Sequence, residues 1–158
     1  MMNKTTSLVA IGLATSFFLL GQPNLKAAAQ GPAKFDGSWE VTVDTKEYKN
    51  PDGTTAKRWV INFPATVKNG VFHGERGTRG HPQFYELNGK IEADGTASLV
   101  VNEITGSQKY NFSAGTNPPA GKGVGYSYQV AAKFEGQRGT GKSISDPRTR
   151  IFTFVKQG

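Results

Sequence analysis

Tyr126-Ser127-Tyr128-Gln129-Val130-Ala131-Ala132-Lys133-Phe134-Glu135 is the stretch that decides the fold. Tyr126, Tyr128, Val130, Ala132 and Phe134 fall on every second position, with Gln129, Lys133 and Glu135 between them. A period of two places one set against a core and the other toward solvent, which is the signature of a half-buried strand.

The same period recurs on both sides of this run. Trp39, Val41 and Val43 alternate with Glu40 and Thr42, and Trp59, Ile61 and Phe63 repeat the pattern. Tyr85, Leu87, Gly89 and Ile91 alternate, as do Ala97, Leu99 and Val101, and residues 151–155 close the chain as a strand apolar on both faces apart from Thr153. Turn chemistry stands between the runs: Asn50-Pro51-Asp52-Gly53, Asn69-Gly70 and Asp94-Gly95 supply positive-φ positions suited to hairpins. Residues 117–123, with two prolines and two glycines, read as a longer surface loop. The expected fold is therefore all-β, an antiparallel meander of about eight strands closing into a small barrel, with a β-sandwich as the alternative.

The first 29 residues read as a secretory signal peptide. Lys4 gives a positive start, Leu8 to Leu20 is apolar or small, and Ala27 and Ala29 form a small-residue cleavage site before Gln30. That apolar run is shorter than the roughly 20 residues a membrane-spanning helix needs. The expectation is an exported protein, periplasmic or secreted, that is not integral to the membrane after cleavage. Residues 30–34 are expected to be a flexible lead-in, and residues 35–158 one β-barrel domain. The chain has no cysteine, so no disulfide supports the core. Lys4 and Lys26 leave with the leader, so the formal charge of +7 falls to +5, compatible with an anionic partner.

Gly136-Gln137-Arg138-Gly139-Thr140-Gly141-Lys142-Ser143 matches the phosphate-binding G-x-x-x-x-G-K-[ST] pattern. The mechanism requires a helix to start at the Lys-Ser pair, and Pro147 follows too soon for one. The segment is expected to be a glycine-rich turn or bulge between two strands, with Lys142 on the surface. His73, Glu75 and His81 lie near one another in sequence, but their spacing defines no metal site, and no metal or cofactor is expected. A nucleophile elbow is absent. A non-enzymatic binding module for a small molecule or an anionic cell-envelope component is the expected function, with nucleic acid disfavoured for want of a base-reading module. The alternatives are a structural or protein-interaction module of the envelope, and an envelope hydrolase built on distant paired carboxylates. Arg76, Arg79, Tyr126, Tyr128 and Arg138, arginines in turns beside aromatics, are the candidate ligand-binding residues.

Several spaced words carry a resemblance: Phe35-Asp36-Gly37-Ser38-Trp39, Phe63-Pro64-Ala65, residues 71–78, Leu87-Asn88-Gly89-Lys90-Ile91, residues 134–141 and residues 152–157. Over essentially the whole mature chain they resemble a poorly characterised domain of proteobacteria, especially rhizobial relatives, found as small exported proteins and as a terminal module on larger ones. The resemblance implies no catalytic residue, and it implies that Gly136 to Gly141 belongs to a family turn. Members often carry cysteines near the end of the first strand and before the last; here Asp44 or Thr45, and Arg150, stand there. A looser architectural likeness to avidin-like and lipocalin-like barrels implies, by analogy, a ligand-holding cavity.

Overall fold

The computed structural model describes residues 31–105 and 125–158. The expected signal peptide with its Ala29–Gln30 junction and the loop expected over 117–123 lie outside the described residues. Among these residues ten strands follow one short 3-10 turn, η1 (Pro32–Phe35): β1 (Gly37–Thr45), β2 (Tyr48–Lys49), β3 (Thr55–Ala56), β4 (Trp59–Lys68), β5 (Val71–Arg76), β6 (Tyr85–Ile91), β7 (Thr96–Ile104), β8 (Gly125–Glu135), β9 (Arg138–Ser143) and β10 (Arg150–Lys156).

Eight of these form a closed antiparallel barrel in the order β1-β10-β9-β8-β7-β6-β5-β4. Each strand pairs with its neighbours in sequence, and β1 closes the ring by pairing with both β4 and β10. Trp39 is thus opposite Ala65 on one side and Lys156 on the other. Strands β2 and β3 make a separate two-stranded arm, with Tyr48 opposite Ala56. Closure leaves no barrel edge unpaired, which removes the template for edge-to-edge aggregation. An eight-stranded barrel has room inside for side chains or for one small ligand.

The hairpin at Asn69-Gly70 shows how the turns set register. Both residues take positive φ, 52° and 75°, the pair of left-handed conformations that matches the twist of two flanking strands. Asp36 then accepts the Asn69 and Gly70 N–H groups at 2.9 and 3.2 Å, tying this turn to the entrance of β1. Gly70 also lies against Pro32, where a Cβ would come within 2.4 Å of the proline ring. Where a flexible lead-in is expected over 30–34, Pro32–Phe35 form η1, which folds under this end of the barrel, and Phe35 is buried.

The glycine-rich segment also departs from expectation. Only Gly136 and Gln137 form the turn, and residues 138–143 are strand β9, paired with β8 and β10. Gly139 and Gly141 face inward because the neighbouring β8 side chains already fill their space. A Cβ on Gly139 would come within 2.9 Å of the Phe134 ring, and one on Gly141 within 3.0 Å of Ala132. Lys142 points outward and is exposed, as expected.

The inner positions fill one half of the barrel completely. Trp39 donates its indole N–H to the Phe35 carbonyl at 2.9 Å and meets Phe134 edge-on, with ring centres 5.3 Å apart. Phe134 in turn packs on Phe154 at 4.7 Å, and Phe154 on Phe72 at 5.4 Å. Burying each such ring is worth roughly 1.5–3 kcal/mol. This aromatic plug closes the η1 end of the barrel.

Candidate functional site

The opposite end is built differently. Continuing the inward alternation past Phe152, Leu87 and Val101 brings the chain to Arg150, Tyr85 and Glu103 rather than to further aliphatic residues. Arg150 is 2% exposed and is the centre of this layer. It donates from Nε to Asp146 Oδ2 at 2.5 Å, from Nη1 to Glu103 Oε2 at 2.8 Å, and from Nη2 to the Tyr126 hydroxyl. The Tyr126 hydroxyl in turn donates a hydrogen bond to Asp146 Oδ2 at 2.7 Å. Three rings surround the guanidinium: Tyr128 at 4.5 Å, and Trp59 and Tyr126 each at 5.4 Å from ring centre to guanidinium carbon. Below them Tyr85 and Tyr128 share a hydroxyl–hydroxyl hydrogen bond of 2.5 Å.

Burial sets the ionisation of this layer. It pulls Arg150 toward neutrality, but Tyr128, Glu103, Tyr126 and Asp146 outweigh it and hold the guanidinium charged. Burial pushes Glu103 above its ordinary value of 4.5, with Arg150 pulling against it. Burial also raises Tyr85, Tyr126 and Tyr128, so all three stay neutral hydroxyls.

Above Arg150 the barrel opens into a cavity of about 540 Å³, within the usual range for a small-molecule site. Trp59, Ile61, Phe84, Tyr85 and Tyr126 supply its apolar and aromatic walls, and Lys57, Arg58, Arg76, Arg148 and Arg150 its cations. Glu103 is the one carboxylate among the lining residues. Two of the cations are neutralised in place, Arg150 as described and Arg58 by Asp44 at 2.7 Å.

Arg148 is not neutralised. It sits in the 144–149 connection, where Asp146 accepts its backbone N–H at 2.8 Å and Ser143 donates to its carbonyl at 3.1 Å. Its guanidinium is drawn inward to the Lys46 and Lys57 carbonyls, at 3.2 and 3.1 Å. The side chain is nine-tenths buried or more, at 5% exposure. Among the described residues no carboxylate pairs with it, and its Nε is buried without a hydrogen-bond partner. Burial and the nearby charge of Arg150 hold it below the usual arginine range, against the weaker pull of Asp146 and Glu103.

The five residues expected to form the site are partly gathered. Arg76 and Tyr126 line the cavity. Tyr128 lies directly under its floor, buried against Arg150. Arg79 is separate: it lies over the Phe84 ring, pairs with Glu86 and Glu75, and borders a shallower outer recess. Arg138 belongs to the other end altogether, opposite Glu135 and Val155, because β9 begins there and runs away from the aromatic plug. Trp59, Glu103, Asp146, Arg148 and Arg150 complete the site and were not among the expected residues. Thr45 and Arg150 are opposite one another in the β1–β10 register.

His73 and Glu75 are on the outer face of β5, where His73 Nδ1 lies 2.5 Å from Asn88 Oδ1. Among the described residues no cluster of three histidines or carboxylates could hold a metal ion, and no helix is long and apolar enough to cross a membrane. No family model, curated protein or solved structure matches this chain.

Proposed function

We propose that the chain is an exported, non-enzymatic binding module whose barrel mouth takes a small anionic molecule. The observation that carries this reading is Arg148, a buried guanidinium at the cavity wall that makes no ion pair among the described residues, because Glu103 and Asp146 are both bonded to Arg150. A buried charge without a direct ion pair costs free energy, and the carbonyls of Lys46 and Lys57 and the more distant Asp146 and Glu103 offset that only in part, so an anion entering the cavity would find a guanidinium ready to pair. Arg76, half-buried on the same wall with no ion pair among the described residues, adds to the attraction. The two carboxylates of the site are bound to Arg150, and the Asp146 side chain is 1% exposed, so neither is free to act as an acid–base pair on a substrate. That favours binding over hydrolysis.

Thermal denaturation in the presence of small organic anions and their uncharged analogues tests the reading. A ligand present at a hundred times its Kd stabilises by about 2.7 kcal/mol, a shift of several degrees for a domain of this size. Anions are expected to raise Tm and uncharged analogues to leave it unchanged. Equal response to both classes, or none to either, would contradict it.

A further inference from the structure

The shape of the cavity narrows the class of anion. Resting on the reading above, we infer that the ligand is a compact ring-bearing carboxylate, its carboxylate held by Arg148 and Arg76 and its ring against Trp59 and Tyr126.

Three observations lead there. The first is depth. Immediately beneath the Arg150 layer the barrel is filled by Val43, Phe152, Phe154, Phe134 and Trp39, each at 1% exposure or less. An extended acyl chain would have no apolar shaft to enter, and would have to end on the charged Arg150–Glu103–Asp146 floor. A short, broad molecule meets no such obstacle.

The second is the walls. Trp59 and Tyr126 already hold a flat group, the Arg150 guanidinium, with both ring centres 5.4 Å from its carbon. Both rings are half-buried and also line the open cavity, so a second flat group there finds aromatic surface already fixed by the first. Tyr126 is anchored by Asp146 and Arg150, so little ordering of that ring remains to be done on binding.

The third is charge. Glu103 lines the same cavity and repels a second negative charge near the floor, which disfavours a doubly charged anion and admits a singly charged one. That selects a carboxylate over a phosphate.

Calorimetry on the whole protein with naphthoate, decanoate, naphthol and inorganic phosphate separates the possibilities, since the first two are near-equal in size. Nitrogen-proton NMR of the indole groups locates the ligand, because the chain has two tryptophans, Trp39 in the closed end and Trp59 in the cavity. Naphthoate is expected to bind at least tenfold more tightly than each of the other three and to shift the Trp59 signal while Trp39 stays fixed. Arg148→Gln and Arg76→Gln should each weaken it tenfold or more. Decanoate or phosphate binding as tightly as naphthoate would overturn the ring-carboxylate class and leave the anion reading standing. Naphthol binding as tightly as naphthoate, or no binding by any probe, would overturn both.

Discussion

Arg150 Nη1 reaches Glu103 Oε2 at 2.8 Å across the inside of the barrel, from β10 to β7, with β9 and β8 lying between them in the sheet. With Asp146 on the other edge of the guanidinium, this bridge separates the aromatic plug from the cavity. It gives the cavity a closed floor.

Removing the cation should therefore be costly. Arg150→Gln leaves Glu103 and Asp146 buried with no counter-charge, and breaking a buried pair from one side costs about 3–5 kcal/mol. Urea denaturation of Arg150→Gln, Glu103→Gln and the double variant should show strong coupling, with the double variant less destabilised than the two single losses added together. A loss below about 1 kcal/mol for Arg150→Gln would mean that the layer is solvated and the floor is not closed.

Glu103 should also leave a pH signature. Its folded pKa is raised above 4.5 by burial, so the folded state holds its proton more tightly than the unfolded chain does. The resulting stabilisation is fully present below about pH 4.5 and is lost as pH rises through the raised folded value. Glu103→Gln lacks this titration. The stability of the native protein relative to that variant should thus fall as pH rises through that window. A difference that grows with pH would show instead that Arg150 dominates and holds the carboxylate ionised.

The phosphate-loop match in β9 makes a third case. Lys142 is exposed and makes no contact the strand needs, so Lys142→Ala should change stability by no more than about 0.5 kcal/mol and leave no nucleotide affinity to lose. Gly139→Val places a branched side chain where even a Cβ meets Phe134 at 2.9 Å, and should destabilise by about 1–3 kcal/mol. ATP binding that disappears in Lys142→Ala would overturn the assignment of this segment as a plain strand.

These cases show where the sequence was readable. Strands β1, β4, β6, β7, β8 and β10 announce themselves because large apolar side chains occupy alternate positions. Strands β5 and β9 do not, and for one physical reason. Their inward positions include Gly74, Gly139 and Gly141, which leave room for bulky neighbours: a Cβ on Gly74 would come within 2.8 Å of Ala65 and 3.1 Å of the Phe63 ring. Glycine then reads as a turn when it is half of a complementary pair.

The site was half legible by the same logic. Ala97, Leu99 and Val101 lead by alternation to Glu103, and Phe154 and Phe152 lead back to Arg150, so both charges were on the inner face all along. Reading charge as outward hid them. Arg148 follows no alternation: it belongs to a connection, and only the fold brings its guanidinium to the Lys46 and Lys57 carbonyls. The turn arginines looked equivalent in sequence, and strand direction alone sends Arg138 to the far end.

The most direct test of the central claim is the stability of Arg148→Met with and without an anionic ligand. A residue kept for binding rather than for folding should be replaceable by an apolar side chain of similar length without loss, because the unpaired buried charge goes with it. The expected result is an unliganded Tm equal to or above that of the native protein, together with loss of the anion-induced rise. A large fall in the unliganded Tm with the anion-induced rise intact would contradict it, and would make Arg148 a brace for the β2–β3 arm.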